Sequence, residues 1–378
     1  TRPSLHSTVR VPGSKSLTHR ALIAAGLAQG RSRLRGALVC EDTGYTEQAL
    51  GAMGVGIEHG RDGLAIDGVS GQPVMKRADR EIFLGNSGTS MRLLTGMLAG
   101  QKFFTVLTGD RYLRNRPMGR VIEPLVSMGA KISGRVGGTR APLAIQGEKL
   151  RGISFESPVA SAQVKSCLLL AALAADGPTR LSEPALSRDH TEYMLRGMGV
   201  QIASEPWESG AMVTLTPPQP LFLRPLSLTL PGDISSAAFL MVAALVTPGS
   251  DLTLLDVGLN PTRTGLLAAL VEMGADIAIQ PGEEQAGEPR GHIRVRYSAL
   301  SGVTVAGARV VEMIDEFPAF AVAAACARGQ TRVREAAELR HKESDRITAL
   351  CSQLLQIGVD VQETPDGFVV QGGKPIQG

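Results

Sequence analysis

Aromatic side chains are scarce in this chain, with one Trp, four Tyr and nine Phe among 378 residues. Cores built with so few rings, beside 44 Gly and abundant Ala and Leu, pack through small residues. That argues against an aromatic-rich β-sandwich and for helices laid on sheets. Cysteine is sparse too. Cys40, Cys167, Cys326 and Cys351 lie far apart, form no CxxC pair and have no His at ligand spacing, so neither a zinc site nor a disulfide framework is expected. Cys167 and Cys326 sit in Ala- and Leu-rich runs and are expected to be buried thiols rather than nucleophiles. No apolar run reaches ~18 residues without a charge or breaker, and the first residues make no signal-like stretch, so the expected compartment is the cytoplasm. An excess of charge of one sign is also missing. Lys and Arg total 39 against 36 for Asp and Glu, and this net charge of +3 excludes a nucleic-acid coat. Any anion site must be local.

What the chain has is a repeat. Single hydrophobic cores stop growing near ~250–300 residues, so two domains are expected. A pattern of Leu, two residues, Met-Gly or Ile-Gly and then a β-branched alternation ends at Gly54, Gly129, Gly199, Gly274 and Gly358, spaced by 75, 70, 75 and 84 residues. Each Gly stands where a helix gives way to a strand, a left-handed position that Gly occupies at least cost. An apolar helix precedes each copy, over Ser16 to Gln29, Thr89 to Gly100, Ser161 to Ala175, Ser235 to Val246 and Phe317 to Ala327. The unit reads strand, helix, strand, helix, strand, strand, an α/β (α+β) pattern. These helices are apolar nearly all round, which predicts burial at the centre of each domain with their N-termini gathered.

The gathered N-termini read Pro12-Gly13-Ser14-Lys15-Ser16, Gly85-Asn86-Ser87-Gly88-Thr89, Ala160-Ser161-Ala162-Gln163, Gly232-Asp233-Ile234-Ser235 and Ile314-Asp315-Glu316-Phe317. Ser and Asp are ordinary N-caps, and any one turn needs no further explanation. Lys15, Arg20 and Arg92 beside such turns tilt the set toward phosphate or carboxylate ligands. Other chemistries lack their motifs. Gly13-Ser14-Lys15-Ser16 is no P-loop, because Thr8 stands where the first Gly belongs. No G-x-G-x-x-G follows a predicted strand, and no G-x-S-x-G elbow has a plausible His partner.

Gly109 to Pro117 carries Arg111, Arg114 and Arg116, a solvated loop or an anion clamp, and Leu339 to Arg346 alternates charge at the start of a helix, as a salt-bridged helix face does. In combination the segments say more. Pro12 to Arg20, Leu84 to Arg92, Arg116-Pro117-Met118-Gly119 and Lys342-Glu343-Ser344-Asp345-Arg346, in this order, resemble the 5-enolpyruvylshikimate-3-phosphate synthases along essentially the whole chain. Ser161-Ala162-Gln163-Val164-Lys165, Arg188-Asp189-His190-Thr191-Glu192 and Asn260-Pro261-Thr262-Arg263 resemble patterns of the glyphosate-tolerant class II members, although Asn115 stands where that class often has Lys.

The resemblance implies a two-domain inside-out barrel of repeated βαβαββ units with buried parallel helices, the enolpyruvate transferase fold. Residues 1–11 and 227–378 would form one domain and 12–226 the other. It implies transfer of the enolpyruvyl group of phosphoenolpyruvate to the 5-hydroxyl of shikimate 3-phosphate, with no metal or organic cofactor, in a monomer that glyphosate inhibits. By resemblance Lys15, Ser16, Arg20, Ser161, Ala162, Gln163, Arg188, Asp315 and Lys342 bind shikimate 3-phosphate. Lys15, Gly88, Arg116, Lys342 and Arg346 surround phosphoenolpyruvate. Lys15, Asp315 and Glu343 carry the proton transfers. The family has a sixth repeat after the fifth, bearing a His-Arg pair and a later Lys, and the chain is expected to stop at Gly378 before it. Two alternatives remain: a relative of RNA terminal-phosphate cyclases, or a non-catalytic anion-binding protein.

Overall fold

The computed structural model describes residues 3–69, 75–208, 210–374 and 376. The chain divides into two compact units. One comprises residues 1–12, 231–284 and 288–378, and the other residues 13–230 with the short segment 285–287.

Among the described residues five four-stranded sheets form, two in the first unit and three in the second. All follow one plan. In the sheet of Ile82–Phe83, Phe104–Thr108, Lys131–Arg135 and Arg140–Gln146, the first two strands pair in parallel, and the last strand lies antiparallel between the second and third. Helices Gly88–Ala99 and Gly119–Ser127 fill the two crossovers, which gives the βαβαββ order that the periodicity predicts. Two first strands are borrowed from distant sequence: His6–Arg10 pairs with Asp251–Gly258, and Ser227–Thr229 pairs with Gln29–Arg35. The sequence pattern carried no sign of this exchange. The repeated glycines hold φ of 95°, 103°, 97°, 92° and 78° at Gly54, Gly129, Gly199, Gly274 and Gly358, the left-handed helix stop expected of them.

The apolar helices start where the caps place them. Ser14, Ser87 and Ser161 accept from the backbone N–H three residues on, and Asp233 accepts from Ser235, opening helices Lys15–Leu27, Gly88–Ala99, Ala162–Ala172 and Ile234–Val246. The fifth helix, Phe317–Cys326, has no side-chain cap, but Pro318 sits in its first turn, where a missing N–H is harmless. In the three-sheet unit the Lys15, Gly88 and Ala162 helices are buried along almost their whole length. Each fully buried Leu, such as Leu94 or Leu168, contributes ~1.5–3 kcal/mol.

Two of these helices meet at Gly96. A methyl group there would lie 2.1 Å from the carbonyl oxygen of Cys167, a backbone atom with nowhere to go. Gly96→Ala is therefore expected to destabilise by about 1–3 kcal/mol, against the ~1 kcal/mol that Ala brings to an open helix position. Urea unfolding checks this, and an unchanged or raised stability would refute the close approach.

The two-sheet unit differs. Phe239, Leu240 and Val322 on its apolar helices are 58%, 38% and 42% exposed, and Cys326 is exposed as well. Burial on every side, expected from composition, holds for Cys167 but not for Cys326. Cys326 lies one turn beyond Val322, on the same partly exposed helix face.

Candidate active site

The unit of residues 13–230 brings one group of candidates together at the N-termini of its helices. Lys15 opens its helix and sets Nζ 3.1 Å from Asp42 Oδ2, with both side chains partly exposed. Arg20, in the same helix, is buried and held by hydrogen bonds. Its Nη1 donates to the Ser16 carbonyl at 3.0 Å, Nε to Thr191 Oγ1 at 3.0 Å, and Nη2 to Ser166 Oγ at 2.9 Å and the Ala162 carbonyl at 3.3 Å. One guanidinium thus ties the Lys15, Ala162 and His190–Gly197 helices to each other. Arg188 reaches the same turn, with Nη1 donating to Ser16 Oγ at 3.5 Å. Ser161 Oγ caps its helix and keeps its own proton to donate.

A second group surrounds the Gly88 helix. Gln163 bridges to it, accepting from Arg92 Nη1 at 2.7 Å and donating to Thr89 Oγ1 at 3.0 Å. Arg116 Nη2 donates to Asn86 Oδ1 at 2.8 Å, while its Nε is buried with no hydrogen-bond partner. A methyl group built on Gly88 would lie 2.8 Å from Arg116 Nη1 and 3.0 Å from Arg92 Nη1. Two guanidinium groups therefore converge on one helix N-terminus. Like charges so placed, at the positive end of a helix dipole, favour an anion beside them.

The unit of residues 231–378 holds the remaining candidates. Arg346, first residue of helix Arg346–Gln356, sends Nη1 to Asp315 Oδ1 at 3.1 Å and pairs with Glu343 Oε1 at 2.9 Å. Burial works against its charge, but Asp315 and Glu343 outweigh that and hold the guanidinium above its ordinary range. The Glu343–Arg346 pair is the helix-face salt bridge that the alternating charges suggested. Asp345 serves as the cap, accepting from Thr348 N, and Lys342 precedes the group in the same segment. Behind Asp315, the buried Arg263 donates to Ser235 Oγ at 2.6 Å and Glu316 Oε1 at 2.8 Å. It joins the starts of two helices and gives the Asn-Pro-Thr-Arg segment a structural purpose.

Asp42 and Ser166 were not singled out from sequence, and Asn86 and Thr191 were quoted only within longer motifs, with no role of their own. Asp42 and Thr191 lie 27 and 171 residues from the side chains they hold, a pairing that no local pattern shows. Two of the thiols are held protonated: burial pushes Cys167 up to about 12 and Cys351 up to about 11. Among the described residues no cluster of His, Cys, Asp or Glu could hold a metal ion, and no helix is long and apolar enough to cross a membrane.

Repeated βαβαββ units with cations at the N-termini of their helices are the architecture of the enolpyruvate transferases. The family model described as EPSP synthase (3-phosphoshikimate 1-carboxyvinyltransferase) matches residues 1–378. The 3-phosphoshikimate 1-carboxyvinyltransferase of Synechococcus sp. (strain JA-3-3Ab) is 51% identical over 377 residues, 99% of this chain and 84% of the relative. That of Desulforudis audaxviator is 50% identical over 370 residues, 97% of this chain and 84% of the relative. The solved EPSP synthase of Acinetobacter baumannii superposes with a TM-score of 0.86 at 43% identity, covering 98% of this chain and 83% of that one. The chain belongs to the EPSP synthase family, which disfavours both a cyclase relative and a purely anion-binding protein.

Proposed function

We propose that the chain transfers the enolpyruvyl group of phosphoenolpyruvate to the 5-hydroxyl of shikimate 3-phosphate, in the cytoplasm and as a monomer. The observation that carries the reading is the convergence of Arg116 and Arg92 on the Gly88 helix N-terminus, a seat for phosphate and carboxylate oxygens. Lys15, Ser16, Ser161, Ala162, Gln163 and Arg188 bind shikimate 3-phosphate, with Arg188 on its phosphate. Arg20 joins them in binding it and also holds the Ser16 and Ala162 carbonyls. Lys15, Gly88, Arg116, Lys342 and Arg346 receive phosphoenolpyruvate.

The chemistry runs in two steps. Asp315 takes the proton of the attacking hydroxyl as its oxygen bonds to C2, while C3 gains one proton from Glu343, with Lys15 beside it. C3 then returns a proton as the bond from C2 to the phosphate oxygen breaks, and inorganic phosphate leaves. Arg346, ion-paired to both Asp315 and Glu343, orients the two carboxylates. A coupled phosphate-release assay tests this: release requires both substrates together, and its absence from folded chain supplied with both would overturn the assignment.

Gly88→Ala bears on the same seat. The added methyl meets the far ends of two flexible arginines, so the fold absorbs it, but the guanidinium groups must give way. The KM for phosphoenolpyruvate is expected to rise about tenfold, the worth of one weakened charge-assisted hydrogen bond, and the inhibition constant for glyphosate to rise further. An unchanged inhibition constant would place glyphosate elsewhere.

A further inference from the structure

Lys165 is fully buried on the Ala162–Ala172 helix, and its Nζ donates to two acceptors, Glu183 and Ser187, and ion-pairs with Glu192. Glu183 Oε1 lies at 2.8 Å, the Ser187 carbonyl at 2.9 Å and Glu192 Oε1 at 2.9 Å. Both carboxylates are as buried as the lysine. Glu183 in turn accepts from Ser187 N at 2.8 Å through Oε1 and from Ser187 Oγ at 2.6 Å through Oε2. The backbone N–H, hydroxyl and carbonyl of one residue, Ser187, are thus all held by two buried charged side chains. The next residue is Arg188.

Stability does not account for this arrangement. Ion clusters of this kind are often matched or surpassed by apolar side chains of equal volume, because desolvation consumes most of the Coulombic gain. What the cluster does provide is direction. Ser187 lies just before Arg188 and Glu192 four residues after it, in the first turn of the His190–Gly197 helix, and Lys165 meets both. Ser166 Oγ, next to Lys165, adds a hydrogen bond to Thr191 Oγ1 at 2.7 Å. The Ala162 helix therefore brackets the arginine on both sides.

We propose that Lys165 and Glu183 form a buried clamp on Ser187 that positions Arg188 for the phosphate group of the phosphorylated substrate. They are positioning residues and touch no ligand. The proposal rests on the assignment of Arg188 as a phosphate ligand.

A double-variant cycle on the full chain tests it, with the affinity for shikimate 3-phosphate alone measured by calorimetry and thermal unfolding recorded beside it. Arg188→Ala is expected to weaken binding about ten- to a hundredfold. Glu183→Ala is expected to weaken it by about tenfold or more. Glu183→Gln keeps an acceptor for Ser187 N and Lys165 and offers its amide to the hydroxyl, so it restores most of the affinity. In the Arg188→Ala background Glu183→Ala should add less than about twofold, because its effect passes through the arginine. Should Glu183→Ala not fold, Ser187→Ala is read in the same way, with an expected loss of about three- to tenfold that also vanishes without Arg188. Full additivity in the cycle, or unchanged affinity in Glu183→Ala, overturns the clamp while leaving Arg188 a ligand. Unchanged affinity in Arg188→Ala overturns the ligand assignment, and the clamp with it.

Discussion

Lys15→Ala is expected to lower turnover by about a thousandfold or more with the melting temperature nearly unchanged. A cation at the first position of a helix opposes the helix dipole, so Lys15 is poorly placed for stability. Its partner Asp42 returns little. The pair is 48% and 33% exposed, and ion pairs so exposed contribute ~0–1 kcal/mol. A residue that the fold tolerates rather than needs, at a terminus where anions are favoured, serves a ligand. In the proposed reaction Lys15 meets both substrates, and removing one charge aimed at a developing anion typically costs ~10²–10³ in rate even without a second role. The second role, in proton transfer at C3, extends that range. Turnover and thermal unfolding measured on the same preparation decide the matter. A melting temperature several degrees lower with activity retained would make Lys15 a structural residue.

The repeat carried most of the legible fold, because a helix stop that needs positive φ leaves a Gly wherever it occurs, and five such stops at near-equal spacing define the unit. Strand exchange left no such mark. The His6–Arg10 strand pairs with residues some 245 positions away, and its sequence alternates no differently from a strand that pairs with its neighbour. Burial was legible where three apolar helices pack against each other and not where two do, which is why Cys167 was anticipated correctly and Cys326 was not. At the site the helix N-termini and their cations were readable as residue types beside turns. Their second partners, Asp42, Thr191 and Glu183, were not, because a hydrogen bond across 18 to 171 residues is a property of the packed chain.

Acid sensitivity should be set by a residue that the sequence left unassigned. His19 lies in the Lys15 helix with no exposed surface, its Nδ1 2.8 Å from Thr46 Oγ1 and its Nε2 buried with no hydrogen-bond partner. From Thr46 the contacts run through Ser90 Oγ at 2.7 Å to Ser87 Oγ at 2.6 Å, the cap of the Gly88 helix. Burial is the main force that lowers the His19 pKa from 6.5 to about 3. Lys15 and Arg20 push the same way, and Asp42 opposes them. The folded state therefore keeps His19 neutral while the unfolded chain protonates it near its ordinary pKa. Above 6.5 both states are neutral and this contribution to stability is whole; as pH falls from 6.5 toward 3 the unfolded state binds the extra proton and the contribution is lost. The loss approaches ~1.4 kcal/mol per pH unit, or about 2.7 kcal/mol across two units. His19→Asn can keep a partner for Thr46 but does not titrate, so it should cost stability at neutral pH and less at acid pH. Urea unfolding of both proteins between pH 7.5 and 4.5 should show their difference narrowing as pH falls. Parallel curves would mean that the acid dependence comes from other groups, such as the Asp256 carboxylate that Arg290 and Arg10 hold below its ordinary range against the opposing effect of burial.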